Sequence, residues 1–387
     1  MRLSTYAGDS QDEKHEWDLY WCDQGVLVDR LYKMKPYQRI NHFPGMYALA
    51  RKDHLARNLN RMLKKFPEDY EFYPQTWLLP AEYGDFRKQF KDSTKGRKTF
   101  ISKPEAGCQG RGIFLTRNLE DFEPQGKYVV QRYIHKAFLI DKLKFDLRIY
   151  VMVCGVDPLR VYFYKEGLCR LATQEYKPPT QSNLSNLFMH LTNYAINKFS
   201  DKFQQNQTSG ETEETGHKRS LSFVLRYIDE LGFDSREVLK RIKDVILKCL
   251  CAVQPMLAHT YRSCQPDDVE NSMCFEILGF DVFLDDKLKP WILEVNHAPS
   301  FATDSSLDFK IKKGLVCDAI KLLNLSSQRK QKYKRQKAAE FHRRQMKGKQ
   351  LYTREEKEQL RVKADEKRNN LERKIMDVNY ELIYPSD

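Results

Sequence analysis

The stretch GFDVFLDDKLKPWILEVNHAPSF, residues 279–301, reads as two short apolar strands around a tight, charged turn. Pairing Asp281 with Glu294 would set Phe283 opposite Ile292 and Asp285 opposite Pro290, leaving Asp286–Lys289 as the turn. Side chains alternate faces along a strand, so Asp281, Glu294 and Asn296 share one face in that register. Val282, Leu284, Leu293 and Val295 then take the opposite, apolar face. Two carboxylates directly opposite each other destabilise a sheet. Burial makes this worse unless one is protonated or a cation lies between them. An oxygen donor set without Cys or His suits Mg²⁺ rather than Zn²⁺, and Mg²⁺ commonly keeps waters and takes phosphate oxygens. A nucleotide is therefore implied. The competing reading is an edge hairpin with solvated acids; Asn296 on the same face, and the Pro299-Ser300 that follows, favour the metal.

Upstream, FISKPEAGCQGRGIFL (100–115) is a Gly-rich hairpin. It is neither a Walker A loop nor a dinucleotide fingerprint, because no Gly-Lys-Ser/Thr and no helix follow. Its backbone N–H groups could still close over phosphates, with Lys103 and Arg111 neutralising charge. Alone, an ordinary turn with surface cations is the stronger reading. KFDLRIYV (144–151) puts Lys144, Asp146 and Arg148 on one strand face. That pattern by itself favours a solvated face, although Arg148 suits bidentate recognition of a phosphoryl group or carboxylate. His190-Leu-Thr-Asn193 reads as a turn or helix cap, and His297 as a hydrogen-bonded structural histidine. No Ser-His-Asp nucleophile set stands out.

With 387 residues the chain is long enough for two or three domains, and 41% hydrophobic and 12% aromatic residues supply a core. No apolar run of about 18 residues occurs, and the polar N-terminus lacks a secretory h-region. The nine cysteines are odd in number and form no CxxC, so buried free thiols are expected rather than disulfides or zinc. The net charge of +13 is concentrated: residues 328–350 hold ten Lys/Arg and one Glu, residues 351–387 sum to −1, and residues 1–327 keep +5. Such a basic segment points to a polyanionic partner.

The expected fold class is mixed α/β (α+β). Residues 1–16 read as a disordered lead-in. Residues 17–95 read as an N-terminal α/β domain, with Leu55, Leu59, Met62, Leu63 and Phe66 at helical spacing and a short strand at TWLLP. Residues 96–134 form a β-rich central unit able to act as a lid. Residues 135–325 are the largest unit. It has strands at FDLRIYVMVC and LRVYFYKEG, a polar loop over 201–219 expected to be mobile, and two helices over 221–260 broken near Gly232. Residues 326–387 are a basic helical extension, with 351–378 read as a solvated helix.

Taken in order, SKPEAGCQGRGI (102–113), QRYI (131–134), KFDLRIYV (144–151), HLTNYAI (190–196), FEILGFDVFLD (275–285) and ILEVNHAPSF (292–301) resemble the tubulin–tyrosine-ligase-like family, an ATP-grasp group of carboxylate–amine ligases. NHFPGM (41–46) is similar to that family's N-terminal unit, and the resemblance covers roughly residues 17–325. It implies an ATP-grasp-like architecture of three domains, with ATP between the last two. Lys103, Arg111, Gln131, Arg132, Tyr133, Ile134, Lys144 and Asp146 would surround the nucleotide. Asp281, Glu294 and Asn296 would ligate Mg²⁺. Arg148, Lys103 and Glu294 would be the catalytic set, while Arg170, Thr192 and Asn193 would meet substrate. Gln109 and His297 resemble residues that favour elongating an existing branch, as in long-chain polyglutamylases.

The implied reaction ligates free L-glutamate onto tubulin's acidic tails through an acyl phosphate. The alternatives are a glycylase and a catalytically weak microtubule-binding protein. The resemblance further implies docking of residues 328–350 on microtubules, action as a monomer in the cytoplasm and cytoskeleton (extending to the cilium or basal body), and no nucleic-acid or membrane partner.

Overall fold

The structure, a computed structural model, describes residues 3–5, 17–23, 25, 28–90, 98–104, 110–123, 125–204, 216–347, 353–372, 375 and 377–385. Most of the expected lead-in, most of the loop over 201–219, and Gln109 lie outside them. The architecture is a mixed α+β fold built on three sheets.

Near the N-terminus, β1 (Leu3–Thr5), β2 (Leu19–Trp21) and β3 (Arg39–Ile40) pair in parallel in that order. The helix Lys52–Lys65 follows and buries Leu55 and Leu59, four residues apart on one face. Phe66, at the end of that helix, is exposed instead. The second sheet is antiparallel, in the order β4 (Thr76–Leu79), β7 (Tyr128–Arg132), β5 (Phe100–Pro104) and β6 (Phe114–Thr116). The TWLL strand, assigned by sequence to the N-terminal unit, thus belongs to the sheet of the central unit. Trp77, Phe86 and Phe100 pack edge to face or tilted in its core.

The third sheet is seven-stranded. Its main path runs β11 (Lys218–Ser220), β10 (Leu159–Glu175), β9 (Leu143–Val156), β12 (Glu276–Leu284) and β13 (Pro290–Asn296), with β8 (Leu139–Ile140) on β9 and β14 (Tyr380–Tyr384) on β10. The alternation along β9 explains how the sheet serves core and site together. Leu147, Ile149, Val151 and Val153 lie on one face, in the core built with the helices Leu221–Glu230 and Ser235–Cys264. On the other face Tyr150, Met152 and Cys154 meet Leu307, Ile311 and Leu315 of the helix Ser306–Leu322. That same face carries Lys144, Asp146 and Arg148 earlier in the strand, beyond the helix's cover. Gly232, at φ +85°, ends the helix Leu221–Glu230 and allows the break read from sequence.

Two expectations need correction. Asp281 pairs with Glu294 as expected, but the register then slips: Val282 faces Ile292, Phe283 faces Trp291 and Leu284 faces Pro290. One extra residue, Leu293, is accommodated in β13 as a bulge. The bulge sends Ile292 into the core with Val282 and Leu284, whereas Leu293 and Phe283 line the pocket described below. Asp285 caps the turn, accepting from the N–H groups of Lys287 and Lys289 at 3.0 and 2.9 Å and from Trp291 Nε1 at 3.0 Å. The described cysteines are free, but Cys251 and Cys317 are exposed rather than buried, and Cys108 lies outside the described residues.

The basic segment forms the helix Ser327–Lys347, followed by the helix Arg354–Glu372. The chain then returns, and β14 adds to the edge of β10 with Tyr164 opposite Tyr380. Tyr380 and Ile383 are buried there. No helix among the described residues is long and apolar enough to cross a membrane.

Candidate active site

Neighbouring strands place a row of charged side chains across the large sheet, two arginine–aspartate pairs and one pair of acids. Arg170 on β10 lies opposite Asp146 on β9, Arg148 on β9 lies opposite Asp281 on β12, and Asp281 lies opposite Glu294 on β13. The Arg170 guanidinium grips Asp146 with two bonds of 2.7 Å and reaches Asp281 Oδ2 at 2.7 Å. Arg148 donates to both Asp281 oxygens, at 2.5 and 3.1 Å. Thr192 adds a 2.6 Å bond to Asp146 Oδ2. These are charge-assisted, fork-shaped contacts among buried groups.

Electrostatics separates the two acids. Burial alone would raise Asp281, but Arg148 and Arg170 hold it well below the usual carboxylate range. Burial and the adjacent Asp281 charge push Glu294 up. A carboxyl pressed against a like charge in a desolvated place gains from a cation. Asn296 donates through Nδ2 to Gly279 O at 3.4 Å and to Glu294 Oε1 at 3.5 Å, which turns its amide oxygen toward the role of an acceptor or ligand. The donor set Asp281, Glu294 and Asn296 therefore fits a hard divalent ion.

Beside this row a pocket opens between the two larger sheets. Lys103, Gln131, Arg132, Tyr133, Ile134, Lys144, Asp146, Thr192, Asn193, Asp281 and Glu294 line it. Lys103 Nζ donates to Gln131 Oε1 at 2.7 Å and to the bulged Leu293 carbonyl at 3.4 Å. Ile101, Ile113, Leu191 and Phe283 give the pocket apolar walls suited to a planar base. At the 131–134 segment the N–H groups of Arg132 and Tyr133 donate to Gln75 and Thr99 carbonyls, joining the segment to its flanks.

Lys144 Nζ donates to Tyr133 Oη at 2.9 Å and to the His190 carbonyl at 3.0 Å. Burial lowers its pKa to about 7. His190 Nε2 lies 3.1 Å from the Asn183 carbonyl, which can only accept, so Nε2 carries the proton. Nδ1 then accepts from Tyr133 Oη at 3.0 Å. Burial and Lys144 lower His190 to about 4.

The other sequence-derived candidates fall outside this pocket lining. Arg148 and Arg170 sit at its rim in ion pairs, and Arg111 is exposed at the tip of the Gly-rich turn. Gln109 lies outside the described residues. His297 lines a second cavity of about 420 Å³ on the far side of the β13 exit. Sequence reasoning gave no site role to His190, or to Asn197, whose amide ties the 191–193 segment to Thr173 on β10. HLTNYAIN carried both, but nothing local shows which partners a turn residue will meet.

The geometry agrees with comparisons to known proteins. A family model described as the tubulin-tyrosine ligase family matches residues 30–332. The chain is 51% identical over 376 residues to a probable beta-tubulin polyglutamylase of Tetrahymena thermophila, covering 97% of this chain and 31% of the relative. It is 51% identical over 326 residues to the tubulin polyglutamylase TTLL6 of Mus musculus, covering 84% and 38%. It is 48% identical over 315 residues to the tubulin polyglutamylase TTLL13 of Homo sapiens, covering 81% and 38%. The chain thus spans about a third of the length of the curated relatives it matches. Since the matched segment encloses every residue of the pocket and of the charged row, the chain belongs to the tubulin-tyrosine ligase family.

Proposed function

We propose that this chain catalyses ATP-dependent ligation of free glutamate, through isopeptide bonds, onto glutamate side chains of tubulin C-terminal tails, elongating existing branches. The observation that carries the reading is the row Arg170–Asp146–Arg148–Asp281–Glu294 beside a pocket with cationic and apolar walls. The relatives' names as tubulin polyglutamylases support the substrate.

In this reading the hinge at 131–134 and the apolar walls hold the adenine, while Lys103 and Lys144 meet the phosphates. Asp281, Glu294 and Asn296 would hold Mg²⁺, which when bound offsets phosphate charge. Arg148 orients the γ-phosphoryl group toward the acceptor carboxylate. Transfer breaks the bond to the ADP oxygen and forms an acyl phosphate on the tail glutamate. Arg170 and Thr192 position the free amino acid, whose amine attacks the acyl carbon, loses a proton and expels phosphate. The side chains act by placement and charge stabilisation, so no enzyme nucleophile is needed. The exposed basic face of the helix Ser327–Lys347 would dock on the microtubule's acidic surface, placing the protein on the cytoskeleton.

The test is mass spectrometry of tubulin tails after incubation with Mg-ATP and isotopically labelled glutamate or glycine, on pre-glutamylated and unmodified microtubules. Glutamate added to pre-modified tails, and lost in Glu294→Gln, is the expected result. Glycine incorporation alone would make the chain a glycylase. Microtubule binding without any ligation would make it a non-catalytic binder.

A further inference from the structure

The second cavity contains a constellation in which the ligase reading gives a part only to His297, leaving His42 and Glu276 unused. His42 comes from the turn after β3, Glu276 from the start of β12, and His297 from the residue just past β13. Three segments distant in sequence deliver one donor atom each to a common point, all within 4.8 Å of one another. Glu276 Oε1 is 2.9 Å from His42 Nδ1 and 3.8 Å from His297 Nδ1.

Each donor is oriented by a further contact. His42 Nε2 lies 2.9 Å from the Cys22 carbonyl, to which it can only donate, so Nε2 carries a proton and Nδ1 is the atom directed at Glu276. A histidine whose far nitrogen donates to a backbone carbonyl is the usual arrangement of a metal ligand. Glu276 Oε2 accepts the Phe43 N–H at 2.8 Å, which presents Oε1 to both imidazoles. His42 and Glu276 side chains are 2% and 1% exposed, whereas His297 is 23% exposed and borders the cavity of about 420 Å³. That cavity leaves space for water or another ligand to complete a coordination sphere.

We propose that His42, Glu276 and His297 bind one divalent transition-metal ion of the Zn²⁺ class. Two imidazoles and one carboxylate with an adjoining open space form a recurrent site for such ions, distinct from the oxygen-only set Asp281, Glu294 and Asn296. Ligand bonds of roughly 2.0–2.2 Å require donors some 3–3.7 Å apart, so the present separations close around an ion with small side-chain shifts. Binding replaces the proton shared between His42 Nδ1 and Glu276, which leaves to solvent. The ion would clamp the Asn41–Met46 turn to the ends of β12 and β13. A metal-free His42–Glu276 ion pair, with His297 held edge-on by the His42 and Tyr47 rings, is the competing account of the same contacts.

The experiment uses the full chain, stripped with chelator and titrated with Co²⁺ as a spectroscopic stand-in for Zn²⁺. One equivalent is expected to give visible d–d absorption without the near-ultraviolet band of thiolate ligation. Zn²⁺ should displace it, millimolar Mg²⁺ should not, and the thermal midpoint should rise. His42→Asn risks misfolding, so the deciding variant is His297→Ala at the cavity edge, which should weaken binding roughly tenfold or more. Glu294→Gln should leave the spectrum unchanged. Equal Co²⁺ binding by wild type and His297→Ala, or no wild-type binding at about 100 μM, would overturn the proposal and leave the ion pair as the explanation.

Discussion

Lys144 sits between two neutral oxygens, with its charge penalised by burial and its pKa lowered to about 7. A phosphate brought alongside would restore its proton. Nucleotide binding at pH 8 should therefore take up a fraction of a proton, visible as a buffer-dependent enthalpy in calorimetry. Lys144→Met should abolish the uptake and weaken binding. His190 gives a second prediction. Its folded pKa of about 4 lies below the unfolded value near 6.5, so below pH 6.5 the unfolded chain gains a proton that the folded chain refuses. Its contribution is intact above that pH and lost as pH falls toward 4, on the order of 2 kcal/mol. Urea midpoints should drop between pH 7 and 5, and less steeply in His190→Gln. At this scale the alternation of Lys144, Asp146 and Arg148, and the opposition of Asp281 to Glu294, were readable from spacing. That Arg170 would grip both Asp146 and Asp281 was not, because local pattern does not say which strands become neighbours.

The elements show where pattern stops short. The one face of β9 that turns from charged to apolar is legible in KFDLRIYVMVC, once the covering helix is known to reach only half of it. The bulge at Leu293 left no such mark: strict alternation predicted the wrong partner for Phe283, and one inserted residue exchanged Ile292 for Leu293 at the pocket wall. YELIY, the sequence of β14, has strand composition but follows a long charged helix that overshadows it. Gly110 offers a test of the Gly-rich hairpin. It has φ +80°, and a Cβ there would lie 2.5 Å from Ile196 Cδ1. Gly110→Ala should thus push the hairpin off the 193–196 turn. A several-fold rise in KM for ATP, with a lowered thermal midpoint, is expected. Ending the chain at Asn379 should remove the buried Tyr380 and Ile383 and expose the Val161–Tyr164 edge of β10. A loss of about 3 kcal/mol in denaturant unfolding is expected, with faster amide exchange in the helix Arg354–Glu372.

Over the whole molecule most of the net charge sits on one arm. Replacing Lys332, Lys334, Arg335 and Lys337, all exposed, with Gln should lower microtubule affinity and flatten its salt dependence. Turnover on a free tail peptide should hardly change, because these residues are remote from the pocket. Sequence alone located this arm and read it as a basic helical extension, with no sign of where it would be held. The structure ties it down at both ends. Arg329 pairs with Glu270 near its start, Arg368 donates to the Cys154 carbonyl at 3.0 Å, and β14 closes the circuit on β10. A tail fixed at one point can reach in any direction, but a loop fixed at both cannot. If the arm docks as proposed, the distance and bearing from filament grip to ligation pocket would then be set by the fold. On the proposed reading the arm would work as a ruler, and which tail on the lattice is modified would become a matter of reach as much as of recognition.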